Sequence, residues 1–159
     1  MNFSPVKVLL DSTYLLPSFG VEVEELSLDH IAKLREAGVK GKVNFHCLST
    51  VWVEVMGKIC REKERLKEDI EKIIEIAVKS LLESGFYKWL TPTSDAVKMA
   101  FKLRMLGHRD NIDNLLYATS AENNMLLLTM DEDFKKFLLQ NNFKVDNVLN
   151  HETLLKRLG

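Results

Sequence analysis

The sequence predicts a three-layer α/β/α fold around a central, mostly parallel sheet of four or five strands. Three observations carry that expectation. Short apolar segments without sustained alternation begin at Val6, Lys42 and Met125, the pattern of strands covered on both faces. Segments of helical periodicity separate them, and such alternation implies right-handed crossovers and parallel pairing. Seven glycines and three prolines in 159 residues, 46% of them hydrophobic, describe a globular chain, and the length suits a single domain over residues 1–159.

VKVLL (6–10) opens the sheet, and Asp11 follows it directly. Residues 18–25 read as loop. Leu26 to Ala37 reads as a helix, with Leu28, Ile31 and Leu34 three apart and Gly38 as its stop. KVNFHCL (42–48) is a second buried strand, and Ser49 or Thr50 can cap the helix that begins at VWVEVMGKIC, with Glu54 in its first turns. Trp52, Met56, Ile59 and Cys60 recur at helical spacing as its core face.

Charge is dense from Arg61 to Lys72, with Lys67/Glu71 and Glu68/Lys72 at i, i+4, the mark of a solvated helix face. Leu66, Ile70, Ile73, Ile74, Ala77 and Leu81 form one apolar stripe beside it. FYKWL (86–90) is a short strand before Pro92, and Ser94 to Leu106 is a helix ending at Gly107. Asn111 to Glu122 is a helix whose core face holds Ile112, Leu115, Leu116 and Thr119, leading into MLLLT (125–129), a central strand. A helix from Glu132 to Gln140, a weak strand at Phe143 to Val145 and a last helix from about Glu152 complete the chain.

Lys and Arg number 22 and Asp and Glu 23, for a formal net charge of -1. That excludes gripping nucleic acid by bulk positive charge, while a local basic path stays open because phosphate contacts need only a few cations. No apolar run approaches the roughly 18 residues of a membrane span, and Asp11 breaks the first one, so a soluble, unprocessed chain is expected. Cys47 and Cys60 are too few for a disulfide framework and form no CxxC, which fits a reducing cytoplasm. The nucleotide loops GxxxxGK[ST] and GxGxxG are absent, as is GxSxG.

In parallel α/β sheets, ligands sit outside the carboxyl ends of the strands, which makes the acids at those ends informative. Asp11 closes the first strand, Glu54 follows the second, and Asp131 lies two residues past MLLLT. Asp113 reaches the same rim if its helix runs back antiparallel to the strands. Each acid alone has an ordinary explanation at a helix N-terminus: Asp110 with Asp113 resembles a capping pair, and Thr129 with Glu132 a capping box. Four like charges on one rim would repel unless a cation neutralised them, and carboxylate oxygens suit Mg²⁺ or Mn²⁺. Without a nucleotide loop, such a site suits phosphodiester hydrolysis by water that the ion activates.

VLLDST, STVWVEV and DNLLYATSAENNMLLLTMDEDF, in that order between Val8 and Phe134, resemble the PIN domain family of metal-dependent ribonucleases, which includes the VapC toxins of toxin/antitoxin pairs. The resemblance implies that Asp11, Glu54, Asp113 and Asp131 are the catalytic acids. Asp11, Asp113 and Asp131 would ligate the metal, and Glu54 would ligate it or orient the attacking water. Thr13 stands where the family has a small polar residue near the metal, and Asp133 is a peripheral acid. The resemblance further implies RNA as substrate, products with a 5′-phosphate and a 3′-hydroxyl, an antitoxin partner and a homodimer. The segment between Asp11 and the second strand is longer than in the compact toxins, and its Glu22, Glu24 and Glu25 do not favour RNA approach.

Arg104, Arg109 and His108 lie close to Asp113 and could contact substrate phosphates, although ordinary surface cations share that pattern. His46, between Phe45 and Cys47, reads as a packed histidine. Two rival functions differ from the nuclease. In a haloacid-dehalogenase-like phosphatase, Asp11 would be a covalent nucleophile, but the usual second acid is Thr13 here and Glu54 and Asp113 would be idle. A catalytically silent PIN-like scaffold would bind RNA or protein without cutting.

Overall fold

The computed structural model describes residues 4–62, 64–65 and 69–159. Its sheet has five strands, β1 (Val6–Leu10), β2 (Val43–Leu48), β3 (Tyr87–Leu90), β4 (Leu126–Leu128) and β5 (Val148–Leu149), in the order β3-β2-β1-β4-β5. Every pairing is parallel, and Val8 in the central strand lies between Phe45 and Leu126. Successive strand residues point to opposite faces, so the complete burial of both Val8 and Leu9 means that helices cover the sheet on both sides. The α/β/α fold class stands as expected, with the sheet wholly parallel.

The helices are α1 (Leu28–Val39), α2 (Val51–Glu62), α3 (Ile70–Glu83), α4 (Ser94–Met105), α5 (Asn111–Glu122), α6 (Glu132–Gln140) and α7 (His151–Leu158). Six of them begin at side-chain caps, from Ser27, Asp69, Thr93, Asp110, Asp131 and Asn150. These caps satisfy backbone N–H groups that have no partner inside the helix.

Several local expectations are corrected. Ser18 and Phe19 end a 3₁₀ helix, Ser12–Phe19, whose Tyr14, Leu15, Leu16 and Phe19 are buried; apolar content drew this segment into the core. Gly38 is not the stop of α1, which runs to Val39. A Cβ at Gly38 would meet the Phe86 ring at 2.6 Å, so glycine serves close packing there. Leu28 is exposed, and Leu34 is the buried member of its trio.

The core face of α2 is Val51, Val55 and Ile59, while Met56 and Cys60 are exposed and Trp52 stacks half-buried on Trp89. Thr50 supplies no side-chain cap, because its Oγ1 is buried without a partner. Of the stripe expected through Leu81, Ile70, Ile73, Ile74, Ala77 and Leu81 all lie on α3 and pack against the core, while Leu66, Lys67 and Glu68 lie outside the described residues. On α5, Leu116 and Thr119 are buried, but Ile112 and Leu115 are half-buried. Phe143 to Val145 forms no strand. Val148–Leu149 pairs with β4 instead, while Phe143 and Val145 pack against the core as loop residues. His46 is packed as expected, its Nδ1 3.0 Å from the Asn44 carbonyl.

Candidate metal centre

β1 ends at the middle of the sheet's carboxyl edge, and this puts Asp11 at the bottom of the rim. Its N–H donates to the Leu128 carbonyl (3.0 Å), its side chain is buried, and its Oδ2 accepts from the Thr129 hydroxyl at 2.9 Å. Thr129 Oγ1 also accepts from the Asp131 N–H at 3.2 Å, so one hydroxyl joins the ends of β1 and β4. Thr129 is thus not the capping-box residue of α6. That cap is Asp131, whose Oδ1 accepts from the Phe134 N–H at 2.9 Å.

Burying Val51, Val55 and Ile59 turns Glu54 toward the rim. Its Oε2 lies 3.2 Å from the Ser12 hydroxyl, which is also 3.4 Å from Asp11 Oδ1 and has one proton to give. Glu54 Oε1 is buried with no hydrogen-bond partner. From the other side, α5 returns so that its first turn faces β1, and Asp113 becomes buried there with its N–H donating to Asp110 Oδ1 at 3.0 Å. Oxygens of Asp11, Glu54 and Asp113 all lie within 4.8 Å of one another.

The electrostatics follow from that convergence. Burial holds the Asp113 carboxyl well above the ordinary carboxylate range, and the charges of Asp11, Asp110, Asp131 and Glu54 push the same way. Burial also raises Asp11, against the opposing Thr129 hydrogen bond, and raises Glu54, with Asp11 adding to it. Lys58 opposes both shifts. Its Nζ donates to Ser12 Oγ at 2.9 Å and to Thr13 Oγ1 at 3.5 Å, and pairs with Glu54 Oε2 at 3.5 Å.

The donor set fits a hard divalent cation: three converging carboxylates disfavour their own ionisation, and one buried oxygen lacks any donor. A second cluster, His30, His151 and Glu152, fits less well. His151 Nδ1 is 2.9 Å from the Tyr14 hydroxyl and its Nε2 2.9 Å from the Glu25 carbonyl, so neither nitrogen is open to an ion.

Of the acids expected from sequence, Asp11, Glu54 and Asp113 come together. Asp131 stands outside that triad as an exposed cap, acting on it through its charge, and Asp133 is exposed in the first turn of α6. Thr13 meets Lys58, while Ser12 touches the acids. Arg104 Nη1 donates to the Arg109 carbonyl at 2.7 Å, and both side chains are exposed. His108 bonds Asn114 Oδ1 at 2.8 Å and packs on Phe134 and Phe137, a structural arrangement. Sequence reasoning missed Ser12, Lys58 and the Thr129 contact to Asp11. The i, i+4 spacing of Glu54 and Lys58 was a legible signal for one of them.

Among curated proteins, none matches the sequence. Solved structures do match in fold. PAE2754 from Pyrobaculum aerophilum has a TM-score of 0.61 at 16% identity, over 96% of this chain and 89% of that one. VapBC2 from Rickettsia felis, bound to a DNA fragment from its promoter, has a TM-score of 0.58 at 14% identity, over 91% and 97%. A toxin-antitoxin complex from Klebsiella pneumoniae has a TM-score of 0.54 at 15% identity, over 91% and 97%. The model of the PIN domain matches residues 8–137, from within β1 into α6. A match over most of the sequence, with the same fold in each of these neighbours, makes this chain a member of the PIN domain family.

Proposed function

We propose that the protein is a divalent-metal-dependent endoribonuclease, its 159 residues forming one domain, which uses Mg²⁺ or Mn²⁺ at the Asp11, Glu54 and Asp113 cluster. The observation that carries this reading is the buried, donorless Oε1 of Glu54 beside two carboxylates whose ionisation the fold disfavours. PIN domains are generally nucleases, which supports hydrolysis of a phosphodiester. The phosphatase alternative leaves Glu54 and Asp113 idle, whereas here they share a cluster with Asp11.

Asp11, Glu54 and Asp113 would hold the ion. Once bound, it supplies an activated water and stabilises charge on the phosphate in the transition state. Thr129 fixes Asp11 through Oδ2, and Ser12 stands between Asp11 and Glu54 with one proton to give to either, so the ligand oxygens are oriented before the ion arrives. Glu54 is also placed to orient the water or take its proton, its carboxyl raised above the ordinary range by burial and by the charge of Asp11. Asp131 contributes negative charge at the rim.

The toxin-antitoxin neighbours support a toxin role, with an antitoxin protein as partner and inhibitor, and the homodimer expected of the family accompanies it. No helix among the described residues is long and apolar enough to cross a membrane, in keeping with action on cytoplasmic RNA. The test is cleavage of a mixed panel of structured and single-stranded RNAs with Mg²⁺, Mn²⁺ or EDTA, by wild type, Asp11→Asn and Asp113→Asn. Metal-dependent cutting lost in both variants is expected. Folded wild type that binds RNA as Asp11→Asn does, and cuts with neither metal, would replace the nuclease with the silent scaffold.

A further inference from the structure

The acid cluster contains a cation of its own. Lys58 lies one helical turn after Glu54 on α2, and its ammonium reaches Glu54 Oε2, Ser12 Oγ and Thr13 Oγ1 at 3.5, 2.9 and 3.5 Å. The side chain is 29% exposed, so the ammonium is neither sealed in the core nor free in solvent. Arg104, which the sequence offered for phosphate contact, is instead tied to the Arg109 carbonyl. Among the described residues, Lys58 is the cation whose charge acts on both Asp11 and Glu54.

The two oxygens of Glu54 are divided. Oε2 faces Lys58 and Ser12, while Oε1 is buried without a partner. A second divalent ion bridging Glu54 would have to take the oxygen that Lys58 and Ser12 already use. We propose that Lys58 stands in for such an ion, so that the centre binds one divalent cation per chain and the ammonium supplies the second positive charge, directed at the substrate phosphate. This rests on the metal-dependent nuclease reading and assigns a phosphate-contacting residue to it.

The roles have opposite consequences for metal and for catalysis. A lysine beside the site repels an arriving cation, so its removal strengthens metal binding; a lysine that meets the phosphate assists turnover, so its removal weakens catalysis. Removing a lysine that merely braced the fold would lower both.

The test is calorimetric titration of Mn²⁺ into wild type, Lys58→Met, Lys58→Arg and Asp113→Asn, with cleavage kinetics of one RNA at saturating Mn²⁺. Expected are one ion per wild-type chain, an affinity in Lys58→Met higher by about ten-fold, and a kcat reduced by about 100-fold. Lys58→Arg keeps the charge and should recover part of kcat while binding Mn²⁺ as wild type does. Two ions per wild-type chain, unchanged or weaker Mn²⁺ binding in Lys58→Met, or wild-type kcat in that variant would each overturn the inference while leaving the nuclease reading intact. Mn²⁺ binding by Asp113→Asn as tight as wild type, or no uptake by wild type, overturns the metal centre and this inference with it. A melting transition measured for each variant identifies any that has failed to fold, and if Lys58→Met fails Lys58→Arg decides alone: the inference falls if its Mn²⁺ affinity differs from wild type's or its kcat drops by the full factor expected of Lys58→Met.

Discussion

At the scale of single residues, the centre is built from groups that the metal-free fold tolerates poorly. Burial and neighbouring acids hold the carboxyls of Asp11, Glu54 and Asp113 above the ordinary range. The folded, metal-free chain therefore holds these protons more tightly than the unfolded chain. Stability from that difference is present below the unfolded pKa and is lost as pH rises through the raised folded values. Metal-free wild type should lose melting temperature from the carboxylate range upward through neutral pH, and Asp113→Asn should flatten that slope, gaining on the order of 1 kcal/mol at neutral pH. Thermal melting across pH in EDTA checks this, and the opposite slope would contradict it. Removing the hydroxyl in Thr129→Val should leave the fold in place but weaken Mn²⁺ binding by roughly 10-fold, the usual scale for loss of a group that orients a ligand; calorimetry reads it directly.

At the scale of elements, α2 decides whether Glu54 can serve. Its sequence offers two candidate apolar faces, Trp52, Met56, Ile59 and Cys60 or Val51, Val55 and Ile59, which share one residue and differ by about one position around the helix. The second is buried, and only that rotation brings Glu54 and Lys58 to the rim. Periodicity could not choose, because an exposed Met56 and Cys60 line an apolar groove of about 350 Å³ with Phe19 and Ile74, so hydrophobicity spills past the core face. Ile59→Ala should cost about 2–5 kcal/mol, whereas Met56→Ala should stay within about 0.5 kcal/mol. Denaturant unfolding of the two variants distinguishes the faces. Strands were more legible than their limits: β4 is an unbroken apolar run, and β1 and β2 are mostly apolar, interrupted at Lys7 and at Asn44 and His46, whereas β5 has two residues and no pattern to read.

At the scale of the whole molecule, strand order produces the site. Placing β1 between β2 and β4 sets Asp11 beside the start of α2 and the end of β4, and the return of α5 completes the ring with Asp113. The sequence disclosed three of these acids because strand ends and helix starts are locally marked, and the fourth, Asp131, was legible as an acid but not as a cap standing apart from the triad. Ser12, Lys58 and the Thr129 contact depend on which way neighbouring elements turn, which no local pattern states. An ion held by Asp11 after β1, Glu54 of α2 and Asp113 of α5 should stabilise the whole fold: at 100 times its Kd, Mn²⁺ should add about 2.7 kcal/mol, a rise of roughly 5–10 °C in melting temperature. Asp11→Asn should abolish that gain.

Anomalous diffraction from crystals soaked in Mn²⁺ shows whether Asp11, Glu54 and Asp113 hold a divalent ion. One strong peak is expected among the carboxylates of these three residues, absent in Asp113→Asn. No peak there, or a peak confined to His30, His151 and Glu152, would contradict it.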